Sequence, residues 1–201
     1  MAEQIGLIIP MTNDALRRGL TDTQHWRANI PDFYLSINLS VTHFEQDGVA
    51  EGMVSLLHEF GLPASALKVE VTESALMSHP EKAITTMERF QALGVQLSLD
   101  DFGTGYSSLM YLKKLPLNEL KVDQSFVRDL ETDRSDAEIA ATIIAMAKNL
   151  KLEVVAEGVE DESQLAFLTH HGCLVFQGYY FYKPMKAADL TELMFGYAVI
   201  L

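Results

Sequence analysis

Short segments of alternating polar and apolar residues recur along the chain, and longer amphipathic segments separate them. The alternation is typical of strands, and it is found at FYLSINLSV, LKVEVTE, LSLDD, ELKVD, LEVVAEGVE and LVFQGYYF. Apolar residues spaced as in a helix predict helices over residues 13–28, 49–60, 80–93, 161–170 and from 187 onward. Six strands, each followed by a helical connection, predict parallel pairing in an α/β sheet or barrel.

Local signals define several of the connections. Gly61 and Gly94 follow two predicted helices and are expected at their carboxyl ends. The run from Ser135 to Glu138 has the form of a capping box and predicts the start of another helix. A short helix is expected over residues 108–114.

Polar residues lie toward the carboxyl end of every predicted strand. Strands covered on both faces are usually apolar throughout, so this recurrence needs a reason. In an open doubly wound sheet, only the strands at the switch point contribute residues to the binding site. In a TIM barrel, the loops at the carboxyl ends of many strands build the site. The pattern therefore favours a TIM-like barrel whose candidate site residues are Asn38, Glu70, Asp100, Lys121, Asp123, Glu157 and Gln177.

Asp100 and Asp101 end an apolar strand and precede a loop with Gly103. Strict alternation predicts that Asp100 shares a polar face with Ser98 and that Asp101 lies on the opposite, apolar face. Two adjacent carboxylates repel each other and lose solvation there, so they need a cation or a basic partner. The alternative is an Asp helix cap followed by a glycine turn.

The candidate set is rich in oxygen ligands. Carboxylates and amides suit Mg²⁺ or Mn²⁺ better than Zn²⁺, which prefers histidine and cysteine. A set this acidic repels a phosphate unless bound metal inverts the local field. Two such ions could together clamp the attacking water and the leaving oxygen of a phosphodiester. The residues thus predict a two-metal site.

Composition narrows the class of protein. The 201 residues are 48% hydrophobic, which suits a single folded domain over residues 1–201. A net charge of −13 makes duplex nucleic acid an unsuitable partner. The single Cys173 and the lack of a signal-peptide pattern favour a cytoplasmic setting. No apolar run is long enough to span a bilayer, so any membrane anchor is expected outside this chain.

Six ordered motifs resemble the EAL-domain family: SINLS, VEVTES, DDFGTGYSS, LKVDQSFV, VVAEGVE and QGYYFYKP. Members of that family are bacterial phosphodiesterases for the second messenger cyclic di-GMP, built on a TIM-like barrel. The resemblance implies metal-dependent hydrolysis of cyclic di-GMP to linear pGpG and a homodimeric assembly.

The resemblance also assigns roles to individual residues. It implies that Asn38, Glu70 and Asp100 hold the first metal, that Asp101 and Asp123 complete the second site with Asp100 shared, and that Lys121 touches the bridging water or the phosphate. Glu157 matches the general base, and Glu73 would pin the loop from Phe102 to Ser108, which couples dimerisation to the metal site. Glu160 and Gln177 would lie at the edge of the second metal or in the substrate pocket.

The sequence departs from the family pattern in two places. The Glu-Ala-Leu tripeptide, whose glutamate is a metal ligand in the family, does not occur in this sequence and would lie upstream of Ala2. The first two strands of the family barrel would lie upstream as well. An incomplete barrel is therefore expected. Tyr182 stands where a small residue is more usual and would narrow the pocket. Two alternatives stay open: a cyclic di-GMP receptor or interaction module without turnover, and a barrel metalloenzyme that acts on a sugar phosphate.

Overall fold

The computed structural model describes residues 7–103 and 112–196. Within these ranges the strands form one sheet of six parallel strands in the order β1 to β6. Each crossover therefore advances by one strand in the same direction, as in a barrel. The strands are β1 (Leu35–Leu39), β2 (Leu67–Thr72), β3 (Gln96–Phe102), β4 (Glu119–Val122), β5 (Glu153–Ala156) and β6 (Val175–Phe176).

The sheet is open over the described residues, since β1 and β6 are its two edges. The predicted count of six parallel strands and the predicted incomplete TIM-like barrel are both confirmed. The helices are α1 (Ile8–Arg27), α2 (Val41–Phe44), α3 (Val49–Glu59), α4 (Glu73–Ser78), α5 (Pro80–Ala92), α6 (Gln124–Arg128), α7 (Arg134–Asn149), α8 (Glu162–His171) and α9 (Ala187–Phe195).

Most helix ends follow the predicted local signals. Gly61 (φ 66°) and Gly94 (φ 88°) adopt the left-handed conformation after α3 and α5, where a residue without Cβ is favoured. The predicted capping box at Ser135 is wrong, because the side chain of Asp133 accepts hydrogen bonds from the first turn of α7. Glu138 instead pairs with Arg134 on the helix surface. The helix expected over 108–114 falls mainly outside the described residues.

The two faces of the sheet differ sharply in polarity. The outward face packs against the helices through side chains such as Val69, Leu97 and Leu120, each fully buried, and α5 adds Met87 and Phe90. Full burial of a side chain of this size contributes roughly 1.5–3 kcal/mol to stability. Because the outward face supplies the apolar core, the inward face is left to carry polar residues.

A buried ion pair occupies the amino-terminal end of the inward face. Lys68 Nζ donates to Glu119 Oε2 at 2.5 Å and to the hydroxyl of Tyr34 at 3.0 Å. Burial would lower the pKa of Lys68, but the hydrogen bonds to Glu119 and Tyr34 outweigh it and raise this pKa above its ordinary value. We call Lys68, Glu119 and Tyr34 the lower cluster.

Across residues 7–103 and 112–196, no helix is both long enough and apolar enough to cross a bilayer.

Candidate functional site

Lys121 lies at the centre of an acidic cluster at the carboxyl ends of the strands. Its Nζ is 2.7 Å from Glu70 Oε2, 3.3 Å from Asp100 Oδ1 and 2.6 Å from Glu157 Oε1. Three of them lie on β4, β2 and β3, and Glu157 directly follows β5, so the parallel register brings four predicted site residues together. We call these four residues, with Asp101 and Asp123, the upper cluster.

A β-bulge brings both adjacent aspartates to this cluster. The register between β3 and β4 shifts between Leu99 and Phe102, and Asp101 adopts a positive φ of 54°. The prediction that Asp101 faces the apolar side is therefore wrong, because alternation assumes an unbroken ladder. Ligand oxygens of Asp100, Asp101 and Glu157 lie within 4.8 Å of one another.

Asp123 joins the cluster at the start of α6. Its Oδ1 accepts hydrogen bonds from the backbone N–H of Ser125, at 2.9 Å, and from the Ser125 hydroxyl. A further hydrogen bond links it to Asp101. One carboxylate thus caps a helix and faces the neighbouring strand end, which fixes its position.

The protonation of the upper cluster reflects its crowding. Burial, then the charge of Asp100 and the hydrogen bond with Asp123, raise the pKa of Asp101. Burial also raises the pKa of Glu157 against the opposing effect of Lys121. Burial alone would lower the pKa of Lys121, but hydrogen bonds to Glu157 and Glu70 raise it well above its ordinary value. Lys121 is therefore a fixed positive charge among carboxyl groups.

The loop after β5 connects the cluster to an open cavity. Glu157, Glu160 and Gln177 line this cavity of about 610 Å³. The backbone of Val159 binds the turn that follows β6, donating to Gln177 O at 3.1 Å and accepting from Tyr180 N at 2.9 Å. This pairing ends β6 at Phe176, so the strand predicted over LVFQGYYF is shorter than expected.

Gly178 makes the contact between these two loops possible. A Cβ on this residue would lie 2.1 Å from the carbonyl oxygen and 2.3 Å from the nitrogen of Val159. Backbone packed this closely leaves no room for a side chain. The loop that carries Glu157 and Glu160 and the turn that carries Gln177 are therefore one packed unit.

Two predicted site residues lie beside the cluster. Asn38 is the register partner of Glu70 on the edge strand β1. Glu73 begins α4 and is buried, and its Oε2 accepts from Gly103 N at 3.3 Å. This contact reaches the first part of the predicted Phe102–Ser108 loop, whose residues 104–108 are outside the described ranges.

The sequence reasoning missed residues that support the cluster. Ser36 donates a hydrogen bond to Glu70 Oε1, and Ser125 holds Asp123 as described above. Tyr179, also missed, lines the cavity beside Glu157 together with Tyr182, which the sequence had indicated as a pocket residue. For Ser36 a signal was present, since it alternates on the same face of β1 as Asn38, but small hydroxyl residues are too common in strands to stand out.

The ligand atoms of the upper cluster suit a hard divalent cation. Lys121 contacts three carboxyl groups, and two more, those of Asp101 and Asp123, lie beside them. Oxygens of Asp100, Asp101 and Glu157 lie within 4.8 Å of one another. Carboxylate oxygens are the ligands that such ions prefer. The excess negative charge within a partly buried site is the arrangement that cation binding relieves.

Comparison with known proteins gives consistent results. The family model described as EAL domain matches residues 1–184. The chain is 43% identical over 198 residues to the cyclic di-GMP phosphodiesterase NbdA of Pseudomonas aeruginosa, covering 98% of this chain and 25% of NbdA. It therefore spans about a quarter of the length of that curated relative.

Solved structures share the fold. The PaMucR phosphodiesterase in complex with c-di-GMP, from Pseudomonas aeruginosa, superposes with a TM-score of 0.90 at 40% identity, covering 94% of this chain and 77% of that one. The Klebsiella pneumoniae BlrP1 complex with calcium and cyclic di-GMP gives a TM-score of 0.78 at 26% identity, covering 85% and 43%. The family-model match, the sequence identity to these relatives and the shared fold together establish that the chain belongs to the EAL domain family.

Proposed function

We propose that this chain is a cyclic di-GMP phosphodiesterase domain that hydrolyses one phosphodiester bond to give linear pGpG. The observation that carries the proposal is the upper cluster, in which Lys121 and five carboxyl groups meet beside a cavity of about 610 Å³. Support comes from relatives named as cyclic di-GMP phosphodiesterases and from the similar structure of PaMucR with c-di-GMP.

Two divalent ions, Mg²⁺ or Mn²⁺, are proposed as cofactors. Asn38, Glu70 and Asp100 would hold one ion, and Asp100, Asp101 and Asp123 the other. Bound ions of this kind neutralise phosphate charge and lower the pKa of water. The oxygen-only donor set of these residues supports Mg²⁺ or Mn²⁺ over Zn²⁺.

The protein groups have complementary tasks in this reaction. Glu157 accepts the proton of the attacking water, whose oxygen forms the new bond to phosphorus. The bond from phosphorus to the 3′ oxygen breaks, that oxygen takes up a proton from solvent and leaves as a hydroxyl, and Glu157 then releases its proton to solvent. Lys121 keeps its positive charge beside the phosphate, and the cavity lined by Glu160 and Gln177 holds the nucleotide.

Hydrolysis can be tested directly with Glu157→Gln as the diagnostic variant. The wild-type chain is incubated with cyclic di-GMP and Mn²⁺, and pGpG is separated by chromatography. Removing a positioned general base should lower the rate by roughly 10²–10⁴ while binding is retained. A wild type that binds cyclic di-GMP and forms no pGpG would contradict the enzymatic proposal and favour a receptor.

Assembly and location extend the proposal. The family resemblance supports a homodimer in the cytoplasm, with Glu73 coupling the dimer contact to the site through the loop that begins at Phe102. The contact between Glu73 Oε2 and Gly103 N supports this coupling. Sedimentation should give twice the monomer mass, and a monomer at micromolar concentration would contradict the assembly.

A further inference from the structure

Ser36 contacts the upper cluster from the edge strand β1. Its hydroxyl donates to Glu70 Oε1, while Lys121 Nζ donates to the other oxygen, Glu70 Oε2, at 2.7 Å. In the register of β1 and β2, Asn38 is opposite Glu70 and Ser36 is opposite Lys68. Ser36 is thus the diagonal neighbour of Glu70, a distance that a side-chain hydrogen bond can bridge.

The two donors hold the Glu70 carboxylate from opposite sides. A carboxylate has about four lone-pair positions, and Ser36 and Lys121 each engage one oxygen. Both oxygens therefore keep a lone pair for a further ligand, and rotation of the carboxylate about its last bond would break one hydrogen bond or the other. With Lys121 as the sole partner, the group could turn freely toward the ammonium.

We propose that Ser36 is a positioning residue whose hydroxyl fixes the Glu70 carboxylate in the orientation in which it receives a divalent cation. Groups that orient metal ligands typically change metal affinity by about 10- to 100-fold when removed. The cation-binding part of this inference rests on the proposed function, whereas the orientation of Glu70 in the metal-free protein does not.

The test compares three variants of the full chain. Ser36→Ala removes the hydroxyl, Ser36→Thr keeps a hydroxyl on a side chain suited to a strand, and Ser55→Ala removes an exposed hydroxyl from α3 as a matched control. Mn²⁺ affinity is measured by electron paramagnetic resonance without substrate. The carboxyl carbon resonance of Glu70 is recorded by NMR in metal-free protein.

Ser36→Ala should weaken Mn²⁺ binding about 10-fold or more and move the Glu70 resonance, while Ser36→Thr and Ser55→Ala stay close to wild type. An unchanged Glu70 resonance and unchanged Mn²⁺ affinity in Ser36→Ala would overturn the proposal. A loss of affinity that Ser36→Thr fails to restore would also overturn it, since the effect would not come from the hydroxyl.

The two arms separate this inference from the proposed function. If the wild type failed to bind Mn²⁺, the proposed function would be contradicted, and the NMR arm would still decide whether Ser36 orients Glu70. If the wild type bound Mn²⁺ and Ser36→Ala bound it equally well, only the positioning role of Ser36 would be contradicted, and the proposed function would not be affected.

Discussion

Two buried lysines lie on the same inward face of the sheet, in opposite electrostatic situations. Lys68, in the lower cluster, has one closely paired carboxylate, Glu119, and a phenol, with the exposed Glu153 at 4.0 Å. Lys121, in the upper cluster, contacts three carboxylates, with two more carboxyl groups nearby. One cluster is close to neutral and the other carries excess negative charge.

This difference supports a structural role for the lower cluster and the proposed metal-binding role for the upper cluster. A buried pair that is balanced and hydrogen-bonded needs no further partner, and it closes the amino-terminal end of the inward face. Excess buried negative charge is costly unless a cation offsets it, and the proposed metal binding would account for that cost in the upper cluster. The charge balance, more than the presence of a buried lysine, distinguishes the proposed site from the lower cluster.

The largest expected effect follows from removing one charge of the upper cluster. Asp100→Asn should abolish hydrolysis and weaken Mn²⁺ binding, because Asp100 is proposed as the ligand shared by both ions. The metal-free variant should unfold at the same temperature as wild type or higher, since a repelling charge is gone. Chromatography of pGpG, Mn²⁺ titration and thermal unfolding in chelator measure the three quantities. Unchanged Mn²⁺ affinity would contradict the assignment.

The same kind of change in the lower cluster should act on stability instead. Glu119→Gln leaves the buried Lys68 ammonium without its carboxylate and should lower the free energy of unfolding by about 3–5 kcal/mol, with or without metal. Denaturant unfolding measures this. The double variant Lys68→Met/Glu119→Leu is the control and should be at least as stable as wild type. Equal losses in the single and double variants would disprove a balanced ion pair.

Metal should stabilise the protein through the upper cluster alone. At a Mn²⁺ concentration 100 times Kd, each ion bound should add about 2.7 kcal/mol to the free energy of unfolding of wild type. Asp100→Asn should gain less at the same concentration, whereas Lys68→Met/Glu119→Leu should gain as much as wild type. Thermal unfolding across a Mn²⁺ series checks this order. A smaller gain in the double variant would show that the two clusters are coupled.

The smallest expected effect is on stability and concerns the β-bulge in β3, which lies at the upper cluster. Asp101 has φ 54°, which asparagine tolerates and a β-branched residue does not. Asp101→Val should cost about 1–3 kcal/mol of stability, and Asp101→Asn should stay near wild type in stability while it weakens Mn²⁺ binding. Urea unfolding distinguishes them. Equal stability of the two variants would mean that the backbone conformation is not strained.

The sequence was sufficient for the strand order and for most members of the upper cluster. Polar residues such as Glu70 and Glu157 stood out because they end strands that are otherwise apolar, and parallel strands place their ends together. The site roles of these residues stay predictions until the experiments above are done. The fold, by contrast, is confirmed by the six-stranded sheet and by the matching structures.

What the sequence could not provide depends on contacts between distant segments. The face of Asp101 was predicted wrongly because the bulge arises from the pairing of β3 with β4, and alternation within one strand carries no sign of it. The Lys68–Glu119 pair joins residues 51 positions apart, so it requires the register of the sheet. The early end of β6 depends on Val159, which takes the hydrogen bonds of the turn at Gly178.

The close packing of Gly178 on Val159 bears on how such a site can diversify. Because the backbone of the turn packs directly on the loop carrying Glu157, we expect exchange of the Tyr179 or Tyr182 side chain to leave that carboxylate in place. Under the proposed function, mutations of these tyrosines would change the lining of the cavity that holds the nucleotide and leave Glu157, the proposed base, in place. Under that proposal, the close packing at this one glycine would let ligand preference and hydrolysis evolve separately.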